Sequence, residues 1–227
     1  MTERNILFSI PTGATIEPQT MFVATALARR PDVTFAPILG SPIDVVRNGI
    51  VKLLLGDPTY THLLMMDSDV VPALDVVDLL LECDWPMAAA IVPICVDNAI
   101  VGNVVVRDKD GDTHFITSWN MEGEPFEVAA AGCGCVLIRR EVFEAIPWPW
   151  FKWTESFPTG REGEDIYFSR KAAEFGFTYK VHPKAVADHI KKFPLLHLVK
   201  AFDEYRKVYG ELPSYAGTQS PAYEENS

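Results

Sequence analysis

Leu63-Leu64-Met65-Met66-Asp67-Ser68-Asp69 decides how the rest of the chain is read: an unbroken apolar run passes directly into two carboxylates separated by a single residue. A short apolar run without polar alternation is the pattern of a strand buried on both faces. Ligands of open α/β sheets gather at the carboxyl ends of the strands, so both acids are expected to emerge at a binding edge. Oxygen donors at such an edge suit a hard divalent cation, which can neutralise a diphosphate. The competing reading of the tripeptide is a solvated loop leading into a helix opened by Pro72.

Outward from this stretch the pattern repeats. Asn5 to Ile10 is a short apolar run ended by Pro11-Thr12-Gly13, which predicts a buried strand feeding a loop. Pro18 to Arg30 carries an apolar helical face and is stopped by Pro31; Val33 to Ile38 reads as a second strand, and Ile43 to Leu55 as a second helix. Pro72 suits a first helical position and predicts a third helix to about Cys83, followed by a strand from Met87 to Ile94. This alternation predicts an α/β fold with a central, mostly parallel sheet flanked by helices. Beyond it, Val101 to Arg107 and Thr113 to Trp119 flank the turn Asp108 to Asp112 as an antiparallel hairpin. A strand from Val136 to Arg139, helices over Arg140 to Ile146 and Glu162 to Phe175, and a strand from Thr178 to Val181 follow. An irregular stretch to His189 and an amphipathic helix from Leu195 to Tyr209 complete the order.

The 227 residues, 48% of them hydrophobic and 22% charged, suffice for one sizeable core and exclude a disordered regulator or a disulfide knot. Residues 1–212 are expected to form one domain, with 1–96 and 97–212 as its two halves and 213–227 as a loose polar tail. The longest apolar run, Met87 to Val96, is too short to cross a bilayer. The start lacks a basic, apolar secretion signal, so a cytoplasmic location is expected. Net charge is −11, and residues 1–135 hold 7 basic and 18 acidic side chains, which disfavours nonspecific nucleic-acid binding. Cys83, Cys95, Cys133 and Cys135 offer no paired zinc-ligand spacing and read as structural thiols.

Two further places carry chemistry. Gly163-Glu164-Asp165 opens a helix, where acids complement the macrodipole and where a carboxylate facing a cleft can accept a proton from a hydroxyl. His189, preceded by Asp188, becomes a metal ligand only if the chain returns to the same cleft, and His182 competes for that role. The aromatic Pro147-Trp-Pro-Trp-Phe-Lys-Trp153 reads equally as a core seal or as a stacking surface for a sugar. Glu155 to Glu162 has the composition of a mobile loop.

In this order the pieces resemble the GT-A glycosyltransferases, specifically family 2-like enzymes. The resemblance rests on the first strand and loop, Arg47-Asn48, Asp67-Ser68-Asp69, Ala131-Gly132-Cys133-Gly134 leading to Leu137-Ile-Arg-Arg140, Glu164-Asp165-Ile-Tyr-Phe168, and His189. It covers roughly residues 4–190. The resemblance implies sugar transfer from a nucleotide-sugar donor, a UDP- or GDP-sugar, to an acceptor hydroxyl, with Mn²⁺ or Mg²⁺ on the diphosphate; a carboxylate at the base position favours inversion by single displacement, with retention as the alternative. Carried over, Asp69 and His189 are metal ligands, and Asp67 contacts metal or ribose. Ser68, Pro11, Thr12, Gly13, Arg47 and Asn48 lie by the nucleotide, Asp165 is the base, and Glu164 orients acceptor or helix. No acidic residue follows the second strand, where many members grip uracil; here the segment is Ala36-Pro-Ile-Leu-Gly-Ser41.

Two rivals stay open. A sugar-phosphate nucleotidyltransferase would carry a basic, Gly-rich loop where Pro11 to Thr15 has one glycine and no cation. A noncatalytic nucleotide- or glycan-binding protein would keep the fold without the chemistry. The size also fits an enzyme acting on a hydroxymethylated DNA base, although no base-flipping motif is visible.

Overall fold

The computed structural model describes residues 4–96, 99–117, 122–156, 160–192 and 195–210. Seven strands form the path of the main sheet: β1 (Ile6–Ser9), β2 (Val33–Phe35), β3 (His62–Met66), β4 (Met87–Ile91), β5 (Phe126–Val128), β6 (Cys135–Arg139) and β7 (Tyr179–His189). Their spatial order is β5-β7-β4-β6-β3-β1-β2. β2, β1 and β3 are mutually parallel, as are β4 and β7; β6 runs antiparallel between β3 and β4, and β5 antiparallel at the edge. The fold is therefore α/β with a central, mostly parallel sheet.

β3 shows why the sheet is covered on both faces. Its side chains alternate, so Leu63 and Met65 join one core with Val46, Ile50 and Leu54, while Leu64 and Met66 join a second core with Val23, Leu27 and Leu80. The first core lies under α2 (Ile43–Gly56), α4 (Arg140–Ala145) and α5 (Glu164–Glu174), and the second under α1 (Pro18–Leu27) and α3 (Val76–Glu82). All four apolar residues of β3 have no exposed surface, and truncating any of them to alanine is expected to cost ~2–5 kcal/mol.

The structure corrects several sequence expectations. Pro72 ends a short strand, Val70–Pro72, and α3 starts only at Val76. The stretch before His189 is not irregular: β7 continues to His189, with a register shift against β4 between Val181 and Val186. That shift absorbs His182-Pro183-Lys184, whose proline cannot take part in a regular ladder. Val33 to Ile38 and Met87 to Ile94 each break into two strands. Of the stretch Glu155 to Glu162, the described residues belong to two antiparallel strands, Thr154–Ser156 and Gly160–Glu162, with Glu162 bonded to Thr154 and Arg170, while residues 157–159 lie outside the described residues. The Asp108 turn does connect antiparallel strands, Val104–Arg107 and Thr113–Phe115; Trp119 and the tail residues 213–227 lie outside the described residues.

The chain divides into two compact units, one ending at Ile190 and one beginning at Lys191. The second contains α6 (Leu195–Tyr209), which exposes Leu196 and Val199 and pairs Arg206 with Asp203 and Lys207 with Glu204. No helix among the described residues is long and apolar enough to cross a membrane.

Candidate active site

The acid at the end of β3 is gripped from behind. Arg47, on the sheet-facing side of α2, is only 3% exposed. Its Nη2 donates to Asp67 Oδ1 at 2.8 Å, its Nε to Glu164 Oε1 at 3.1 Å, and its Nη1 to the Cys133 carbonyl at 3.3 Å. The Phe151 ring covers the guanidinium, with its centroid 6.0 Å from Cζ. Arg47 is thus a buried bridge between two acids that lie far apart in sequence. Asn48 turns the other way: its amide donates to the Phe151 and Asp44 carbonyls and accepts from the Trp150 and Phe151 backbone N–H groups. That amide fastens the aromatic segment to α2.

The second acid of the tripeptide faces a different partner. Val70–Pro72 pairs antiparallel with the end of β7, setting His189 opposite Val70, and the Ile190 N–H donates to the Asp69 carbonyl. Asp69 Oδ2 consequently lies 3.2 Å from His189 Nε2. His189 Nδ1 is 2.7 Å from the Pro93 carbonyl, which can only accept, so Nδ1 carries the hydrogen and Nε2 presents a lone pair in the neutral ring. This is the tautomer that a histidine ligand requires, with its second nitrogen fixed by a carbonyl.

Asp165 completes the arrangement from α5. Gly163 precedes the helix, and Asp165 Oδ1 accepts from the Ile166 N–H at 2.8 Å. A Cβ on Gly163 would come within 2.8 Å of Asp165 Oδ1, and one on Gly132 within 3.2 Å of Oδ2. The carboxylate therefore occupies a slot between two glycines from separate segments. Asn103, which sequence reasoning missed, holds one wall: its side chain accepts from the Val92 N–H and donates to the Gly132 carbonyl. A lone asparagine after a run of apolar strand residues leaves no periodic signal.

These elements enclose a cleft of about 250 Å³ whose lining includes Asp67, Asn103, Gly132, Asp165 and His189, with Val92, Ile94, Phe115 and Ile166 as apolar walls. Burial pushes the Glu164 carboxyl above its ordinary value against the pull of Arg47, and the same balance raises Asp67. Burial also pushes the Cys135 thiol up to about 12 and raises Cys133 further, so both stay protonated.

The remaining predicted residues are placed as follows. Pro11 and Thr12 are buried in a short strand beside Ile38–Leu39, Thr12 Oγ1 donates to the Thr15 carbonyl, and Gly13 is exposed. The loop they begin returns to Ser68, whose carbonyl accepts from the Glu17 N–H. Among the aromatics, Trp150 is core, its Nε1 donating to the Phe143 and Ile146 carbonyls, whereas Trp148 and Trp153 are exposed.

No family model and no curated protein matches the chain. Solved structures do. A197 from STIV superposes with a TM-score of 0.54 at 20% identity, over 83% of this chain and 86% of that one. GalNAc-T7 with UDP, GalNAc and Mn²⁺ superposes with a TM-score of 0.56 at 12% identity, over 98% of this chain. The fold is of the GT-A glycosyltransferase type. The present chain spans 46% of the GalNAc-T7 chain, and at these identities the likeness concerns the fold alone.

Whether the residues suit a divalent ion is answered by the donor set itself. Among the described residues no three His, Cys, Asp or Glu side chains group around one point. The Asp69 carboxylate oxygen does lie 3.2 Å from the imidazole nitrogen of His189, which lines the cleft, close to the ~3.0 Å between neighbouring ligands of an octahedral ion with bonds of about 2.1 Å. Ions of this kind keep waters and phosphate oxygens as their other ligands, so two protein donors fit.

Proposed function

We propose that the chain is a metal-dependent glycosyltransferase that moves a sugar from a nucleotide-sugar donor to an acceptor hydroxyl with inversion, Asp165 acting as general base. The observation that carries this reading is the convergence of Asp67, Asp165 and His189 on one cleft at the carboxyl end of β3. Asp69 and His189 would hold Mn²⁺ or Mg²⁺, with Asp67 at the ribose or the metal edge. A bound cation supplies positive charge against the leaving diphosphate. Asp165 accepts the acceptor's proton from a fixed position between Gly132 and Gly163, while the apolar walls exclude water from the reacting centre. The nucleotide, of a UDP- or GDP-sugar, would lie along Pro11, Thr12, Gly13 and Ser68, whose loop and turn are joined at Glu17.

Incubation with Mn²⁺ and each common UDP- and GDP-sugar tests the reading. Release of free nucleoside diphosphate coupled to acceptor glycosylation is expected. A nucleotidyltransferase would instead form or consume pyrophosphate, and a binding protein would give neither product. Full transfer activity in excess chelator would remove the metal from the proposal.

A further inference from the structure

Among the described residues, Arg47 joins Asp67, the acid of the metal edge, to Glu164 on the helix of the base. It is buried, it uses three different nitrogens, and its partners come from β3, from the turn before β6 and from the start of α5. A residue whose task is to grip a nucleotide would direct its guanidinium into open space; here the fork is spent on Asp67 and Glu164 and its face is covered by Phe151. Phe151 in turn packs on Phe168 of α5, ring centroids 4.6 Å apart, and its backbone is held by Asn48. The Arg47-Asn48 pair therefore ties α5 to α2 by two routes, one ionic and one aromatic.

We propose that Arg47 is a positioning residue that sets Asp67 and the Glu164-Asp165 turn relative to each other, and is not itself a ligand of the donor. Glu164 precedes the base by one residue, so the Arg47–Glu164 contact fixes the first turn of α5 and with it the direction of Asp165. The planar fork matters because lysine carries one point charge and cannot address both acids and the Cys133 carbonyl at once. This inference rests on the reading of the cleft as a transferase site, and its test separates the two.

Arg47→Lys and Glu164→Gln are compared with the wild-type chain by three measurements. Hydrogen exchange over residues 163–168 and 66–68 needs no activity: Arg47→Lys is expected to speed exchange in both segments, whereas unchanged exchange overturns the proposal even if the chain transfers no sugar. Calorimetry with UDP and Mn²⁺ is expected to show a loss of affinity well below tenfold, because the fork reaches the ligand only through Asp67. With a donor in hand, turnover at saturation is expected to fall at least ~10-fold in Arg47→Lys and by less in Glu164→Gln, which keeps an acceptor for Arg47 Nε. The double variant should fall no further than Arg47→Lys alone, since the two residues act as one unit. A tenfold loss of UDP affinity with turnover preserved would make Arg47 a donor ligand and overturn the proposal. So would multiplying losses in the double variant. Absence of UDP and Mn²⁺ binding by the wild-type chain would count against the transferase reading, with the exchange measurement still deciding the role of Arg47.

Discussion

Asp67 and Asp69 are two residues apart and equally exposed, yet the fold gives them different partners. Asp67 is held by a buried arginine that also holds Glu164, an arrangement in which removal of the arginine leaves two acids without their counter-charge. Asp69 forms a second pair, the rim pair, with His189 of the cleft lining, whose far nitrogen is already fixed by a carbonyl. An acidic tripeptide at a strand end thus enters two different contacts: an anchor with Arg47 and Glu164, and a carboxylate–imidazole pair with His189.

The largest effect is expected from breaking the anchor. Arg47→Ala leaves Glu164 and Asp67 without their counter-charge inside the fold, and is expected to lower unfolding free energy by ~3–5 kcal/mol. Asp69→Ala removes a partly exposed pair and should cost about 1 kcal/mol or less. Urea unfolding of the two variants side by side measures the contrast, and equal losses would abolish it. Next in size is the base. Asp165→Asn keeps shape without basicity, so single-turnover transfer should fall by roughly 10²-fold or more while donor binding survives. Wild-type transfer by this variant would remove Asp165 from the mechanism, and retained anomeric configuration would contradict a single displacement.

The rim pair is sharpened by metal titration. Loss of a residue that merely orients a ligand costs ~10–100-fold in metal affinity, so loss of a ligand should cost no less. Asp69→Asn and His189→Ala are therefore each expected to weaken Mn²⁺ binding at least ~10-fold in calorimetry with little change in melting temperature. If Arg47→Lys weakens Mn²⁺ binding as much as either, the separation into anchor and rim fails.

The anchor and the rim differ also in how far sequence reveals them. β3 was legible because four apolar residues bounded by polar ones have few alternatives, and the acids at its end followed from its direction. The Glu164 helix and α2 were legible from their periodicity. What sequence does not carry is the non-local pairing. The Val70–Pro72 strand was read as a helix start because proline suits both, and only its pairing with β7 brings His189 beside Asp69. β7 itself was shortened by His182-Pro183-Lys184, which breaks alternation and is tolerated because the register shifts there. By its local pattern Arg47 is a cation on an amphipathic helix, and the family resemblance placed it by the nucleotide. Its burial depends on an acid 117 positions away, a relation that no local pattern encodes.

A last predicted effect concerns the opposite end of the same strand, and it is needed to read the others cleanly. Metal ligands must lose protons to bind, so Mn²⁺ affinity at the rim falls in acid whatever the fold does. Folding stability has an acid dependence of its own at His62, the first residue of β3. Burial, aided by Arg139 and Arg4, lowers its pKa from the ordinary 6.5 to about 4. Between those values the unfolded chain binds a proton that the folded chain refuses, so this contribution to stability is whole above pH 6.5. It declines as pH falls and stops changing below about 4, where the folded ring also protonates. His62→Gln cannot titrate, and its melting temperature should therefore fall less than that of the wild type between pH 7 and 4.5, with Mn²⁺ affinity unchanged at neutral pH. Parallel melting curves would show that His62 is not the source of the acid loss. A change in Mn²⁺ affinity at neutral pH would mean that the two ends of β3 are coupled, and that anchor and rim cannot be measured independently.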